Sequence, residues 1–236
     1  MRIDARDRLI LALDVPSADE AKRLLDRVGD TVRLIKIGLE LFTAAGPEIV
    51  RWILAQNKGV FLDLKLLDIG ETVKRATAVA ADLGVTFLTV HATGQTVQAA
   101  VEGRGRSPMK ILAVTVLTSF REEDLRETGV ADSIHDTVLR RARLAAAAGA
   151  DGVVASGVEA AMIRQELGGS LVIVTPGIRP AGVSRDDQVH VSTAAGALAA
   201  GADYLVVGRP IRDATDPAGA ARAIQAEIQA ACLNRG

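Results

Sequence analysis

Eight short apolar runs recur along this 236-residue chain, each closed by a polar residue or glycine and followed by a helical pattern. The first, Leu9-Ile10-Leu11-Ala12-Leu13-Asp14, is nearly continuous, which suits a strand buried on both faces of a parallel sheet. Its helix is signalled by Ser17 with Glu20 three residues on, the capping-box spacing. Ala21, Leu24, Leu25 and Val28 then form a helical stripe that Gly29 stops. Further strands are read at 32–37, from residue 60 to the mid-sixties, and at 85–91, 110–116, 152–156, 171–175 and 204–208. Helices are read at about 47–56, 71–83, 96–101, 134–148, 159–167 and 193–200, with a last one opened by Asp216-Pro217. The helix over 71–83 is expected to bury Ala76, Val79, Ala80 and Leu83.

Alternating units of this number predict a (β/α)8 TIM barrel, with residues 1–236 as one domain. A doubly wound open sheet would be expected to carry a glycine-rich loop after its first strand. Leu13-Asp14-Val15-Pro16 stands there instead. Ala148-Gly149-Ala150-Asp151 resembles Ala200-Gly201-Ala202-Asp203, which reads as helix-to-strand punctuation rather than a solenoid repeat.

An apolar share of 49% supplies a large core, and a net charge of -1 gives no electrostatic reason to expect nucleic acid or an anionic membrane as partner. Cys232 is the one cysteine, so neither an internal disulfide nor a cysteine metal site is possible. With no apolar run of membrane-spanning length, a cytoplasmic protein is the expectation.

In such a barrel the C-terminal strand ends share one rim, and that rim holds the active site. Asp14, Lys36, Asp63, Lys65, His91, Thr118, Ser156, Arg179 and Arg209 all close a strand or follow one. The densest group is Phe61-Leu62-Asp63-Leu64-Lys65-Leu66-Leu67-Asp68. Strand alternation puts Asp63 and Lys65 on one face, roughly 6–7 Å apart, with Leu62 and Leu64 on the other. Charges so placed need partners. Alone, D-x-K-x-x-D fits a structural ion pair equally well; its company on the rim favours chemistry. The loops 175–180 and 208–210 each pair a glycine with an arginine after the last two strands, where these barrels often bind phosphate. Asp14, Asp63 and Asp68 could hold Mg²⁺, but Lys36 and Lys65 in the same mouth discourage a cation. His91 reads as a hydrogen-bonded packing residue under the site, His135 as surface helix, and Trp52 as helix packing.

Several segments, in this order, resemble the orotidine 5′-monophosphate decarboxylase family over nearly the whole chain. They are Leu11-Ala12-Leu13-Asp14, Lys36-Ile37-Gly38, Phe61 to Lys65 with Asp68-Ile69, Val90-His91-Ala92, Val114 to Ser119, Thr175 to Pro180, Asp187-Gln188 and Val207-Gly208-Arg209-Pro210. The resemblance implies a (β/α)8 homodimer with active sites shared across the interface, and no metal or organic cofactor. It implies that Lys36, Asp63, Lys65 and Asp68 form an alternating charged array, with Lys65 as proton donor. Asp68 and Thr72 would reach into the partner's site. Asp14, Lys36 and Thr72 would hold the ribose hydroxyls, and Thr118 and Ser156 would flank the pyrimidine. Gln188 would bridge pyrimidine and phosphate, and Arg209, with backbone near Arg179 and Gly208, would hold the phosphate. Two places depart from the family pattern: Gly70 stands where proline is common after Asp-Ile, and Val189-His190 follow Asp187-Gln188 where basic residues are common.

Overall fold

The computed structural model describes residues 3–179 and 192–233. Its eight strands are β1 (Leu9–Ala12), β2 (Leu34–Ile37), β3 (Gly59–Leu66), β4 (Phe87–His91), β5 (Lys110–Val114), β6 (Gly152–Val154), β7 (Val172–Thr175) and β8 (Tyr204–Val207). They pair in parallel in chain order, and β8 returns to β1 through Leu9↔Leu205 and Leu11↔Val207. The barrel is closed as the strand count predicts. Each strand faces two ways. Ile10, Ala12, Leu34, Phe61, Phe87, Leu112, Val174 and Val206 fill the interior, and their neighbours pack outward under the helices. Phe61, Phe87 and Tyr204 stack edge to face inside the barrel, with ring centres 5.8 and 5.1 Å apart.

The helices are α1 (Ala18–Val28), α2 (Leu39–Ala55), α3 (Gly70–Leu83), α4 (Gly94–Arg104), α5 (Glu122–Glu127), α6 (Ile134–Ala147), α7 (Gly157–Leu167), α8 (Ala194–Ala199), α9 (Arg209–Arg212) and α10 (Pro217–Leu233). The Ser17 hydroxyl accepts the Glu20 N–H, as the cap signal predicts. Two expectations are corrected. Pro47 does not begin a helix but restarts one: α2 starts at Leu39, and Gly46, at φ 60°, breaks it into two segments. The buried stripe of α3 is Val73, Thr77 and Ala80, whereas Ala76 and Val79 are exposed. Ala80 is buried and Leu83 packs on the core as expected, so the expected stripe is out of phase by about one residue, an easy error where alanine occupies several faces. The four- and six-residue helices α9 and α5 are too short to give a readable period.

The repeated Ala-Gly-Ala-Asp proves to be one device used twice. Gly149 and Gly201 take positive φ, turning the chain from α6 and α8 into the next strands. The aspartate then staples the foot of the preceding strand. Asp151 accepts the Ile111 N–H and pairs with Arg104, and Asp203 accepts the Ile173 N–H and pairs with Arg164. Both aspartates lie at the N-terminal end of the barrel. The helices α3 and α4 approach so closely that a Cβ at Gly103 would fall 2.1 Å from the Lys74 carbonyl oxygen.

Candidate active site

At the opposite end, β3 departs from regular geometry. It pairs with β4 through Leu62↔Leu88 and then Leu66↔Val90, so Asp63, Leu64 and Lys65 lie opposite the single residue Thr89. Lys65 takes up the slack at φ 50°, a left-handed conformation that costs a side-chain-bearing residue about 1–3 kcal/mol. Such bulges re-aim side chains near active sites. Alternation still holds: Leu62, Leu64 and Leu66 pack outward against the helices, and Asp63 and Lys65 enter the barrel mouth.

There the charges form an unbroken row. Lys65 Nζ donates to Asp63 Oδ2 at 2.8 Å, Lys36 Nζ lies 3.4 Å from that same oxygen, and Lys36 donates to Asp14 Oδ1 at 3.1 Å. Gly38 leaves room for the last pair, since a Cβ there would stand 3.1 Å from both Asp14 Oδ1 and Lys36 Nζ. Asp63 is buried, and burial alone would raise its pKa. The ammonium groups of Lys36 and Lys65 and hydrogen bonds from Lys65 and Thr89 outweigh that and hold it below the ordinary carboxylate value. Burial would likewise depress Lys36, but the carboxylates of Asp63 and Asp14 reverse the sign, so it stays charged. The row therefore carries fixed charge beside the apolar interior, where electrostatic interactions act at short range with little screening.

Asp14, Lys36, Asp63, Lys65, Thr118, Arg179, Gly208 and Arg209 line one cavity of roughly 420 Å³. It is floored by Phe61, Val154 and Val206. Gly208 caps α9, whose first residue is Arg209, and the Arg179 side chain donates to the Ile178 carbonyl. Other expected residues lie elsewhere. Asp68 and Thr72 are exposed and outside this lining; Asp68 Oδ1 accepts the Ile69 N–H. Ser156 is fully buried and caps α7, its hydroxyl accepting the Glu159 N–H. Gln188 lies outside the described residues. His91 is corrected: its ring makes no hydrogen bond among the described residues. Burial, then Arg141 and Lys65, keep it neutral by lowering its pKa.

Two contributors were missed. Arg212 lines the cavity and donates to the Asp14 carbonyl at 2.8 Å, three residues beyond the recognised arginine. Thr89 donates to Asp63 Oδ1 at 2.8 Å and accepts the Lys65 N–H at 2.9 Å. Alternation along β4 would have placed it inward beside Phe87 and His91.

A closed parallel barrel with acids, ammonium groups and arginines gathered at the C-terminal ends of its strands is a (β/α)8 enzyme scaffold with a site suited to an anionic small molecule. Residues 7–224 match the model of the Orotidine 5'-phosphate decarboxylase / HUMPS family, and the chain belongs to that family. It is 55% identical to "Orotidine 5'-phosphate decarboxylase" of Rhodopseudomonas palustris (strain HaA2), over 94% of this chain and 95% of that one. It is 52% identical to the protein of that name from Methylorubrum extorquens (strain PA1), over 96% of this chain and 97% of that one. Among solved structures, orotidine 5'-phosphate decarboxylase from Lactobacillus acidophilus superposes with a TM-score of 0.84 at 37% identity, covering 94% of this chain and 99% of the other.

Proposed function

We propose that this protein decarboxylates orotidine 5′-monophosphate to UMP, a step of pyrimidine biosynthesis, without metal or organic cofactor and as a homodimer. The observation that carries this reading is the row Asp14–Lys36–Asp63–Lys65 in the cavity of a chain so similar to named decarboxylases. Arg209, with backbone near Arg179 and Gly208, receives the 5′-phosphate, and Gln188 bridges it to the pyrimidine. Asp14, Lys36 and Thr72 of the partner subunit hold the ribose hydroxyls. Thr118 and Ser156 flank the base.

The bond from C6 to the carboxylate breaks, CO₂ departs, and the electron pair stays on C6 in the plane of the ring. No π-system delocalises it. The Lys65 ammonium stabilises the developing charge, then transfers its proton to C6 to give UMP, and solvent reprotonates the amine. Asp63 repels the substrate carboxylate, a strain released as CO₂ leaves. Asp68 of the partner subunit flanks Lys65 on its other side. The barrier reduction lies toward the upper end of the roughly 8–23 kcal/mol that enzymes supply. Phosphate binding, remote from C6, contributes by driving closure around the base.

Purified protein with EDTA present is expected to bleach the absorbance of orotidine 5′-monophosphate and yield UMP, and Lys65→Ala to abolish this. Absence of turnover, turnover that returns only with Mg²⁺, or an alanine variant of full activity would overturn the reading.

A further inference from the structure

We propose that Thr89 is a positioning residue for the Asp63–Lys65 couple, one hydroxyl that aims the carboxylate and pins the bend from which the lysine projects. The inference rests on the reading of that couple as the reacting pair.

The bulge creates the need. With three β3 residues opposite one of β4, the Lys65 N–H loses its place in the strand ladder. A buried amide without an acceptor costs about 1–3 kcal/mol, added to the cost of the left-handed Lys65 backbone. The Thr89 hydroxyl supplies the missing acceptor at 2.9 Å. The same oxygen then has one proton to give, and it gives it to Asp63 Oδ1 at 2.8 Å. Asp63 Oδ2 is shared by the two lysines. Among the described residues Thr89 is the side chain that holds Oδ1, so it sets the rotation of the carboxylate about its last bond.

Burial alone does not explain this use. Thr77, Thr137 and Thr175 are as fully buried as Thr89, and their hydroxyls meet no partner among the described residues. A threonine in this barrel can serve as a valine-shaped filler. Thr89 instead spends both functions of its hydroxyl on the two residues that the mechanism requires to be held in register.

The test is Thr89→Val, nearly isosteric but without the hydroxyl, beside Thr89→Ser, which keeps it. Both are assayed for kcat, KM and melting temperature, and for the acid limb of the rate profile. For the valine variant kcat should fall about ten- to a hundredfold, the range carried by a hydrogen bond to a charged group. Its KM should stay within about threefold, the pattern of an interaction expressed in the transition state. Its acid limb should move to higher pH, because a carboxylate that loses a donor protonates more readily. Serine should restore kcat to near the wild-type value. Thr89→Ala carries the same expectation as valine where the valine protein does not fold. A valine or alanine variant with wild-type kcat, an unmoved acid limb, or a serine variant as slow as valine would overturn the proposal. Wild-type protein without turnover would overturn the parent reading and this one with it.

Discussion

Asp63 stands between two ammonium groups and under a hydroxyl, so its charge has more partners than most surface carboxylates. That has a pH consequence. Its native pKa lies below the ordinary 3.8, so the unfolded chain binds a proton more readily than the native protein does. The stability it contributes is therefore fully present above about pH 4 and is lost as pH falls through the depressed native value. Denaturant titrations between neutral pH and pH 3 should show wild type losing stability at the acid end. Asp63→Asn, which leaves Lys36 buried with one carboxylate fewer, should be less stable at neutral pH by on the order of 3 kcal/mol and flatter in that window. Parallel curves for the two proteins would contradict the assigned direction. The charges themselves were legible in the sequence, because an acid or base closing an apolar strand is conspicuous. The Thr89 hydroxyl and the Lys65 backbone were not. A threonine is unremarkable in a strand, and only glycine advertises a positive φ.

At the scale of elements, every strand was legible, since a parallel barrel buries both faces and writes each strand as an apolar run. Helix faces were harder, as the phase error in α3 shows, and the first half of α2 was hidden behind Gly46-Pro47. The Ala-Gly-Ala-Asp repeat was visible, but its purpose needed contacts between chain-distant elements. Asp203 joins Arg164 of α7 to the Ile173 N–H of β7, and it lies at the foot of β8, away from the rim. A charged staple at that end of the barrel serves stability rather than chemistry in this architecture. Asp203→Ala should cost about 2–3 kcal/mol, because it leaves the Ile173 amide without its acceptor and takes the counter-charge from a half-buried guanidinium that keeps only carbonyl partners. The melting temperature should fall by several degrees while kcat stays at the wild-type value. A drop in kcat without a change in melting would mean that this staple reaches the site after all.

For the molecule as a whole, the unfinished part of the proposed site is the second carboxylate beside Lys65. Asp68 is exposed, and the apolar side chains on either side of it, Leu67 at 59% and Ile69 at 76% exposure, face solvent within one chain. Leu39, at the start of α2, is 56% exposed. Exposed large apolar groups around a charge are the composition of an interface whose centre excludes water. In the proposed homodimer a second copy covers them, and Asp68 completes the partner's array. Shared sites make a prediction that a dimer with self-contained sites does not. Lys65→Ala and Asp68→Ala, each inactive alone, are unfolded together and refolded as a mixture. Half of the dimers formed at random are hybrids, and each hybrid holds one site with both residues intact. Activity should therefore return to about a quarter of that of wild type, as the isologous symmetry of a two-fold dimer requires. Sedimentation of the same mixture should give a dimer, and Ile69→Asp should shift it toward monomer and lower activity. A mixture that stays inactive while remaining dimeric would place Asp68 and Lys65 of the same chain in one self-contained site, and an Asp68→Ala protein of full activity would remove Asp68 from the array.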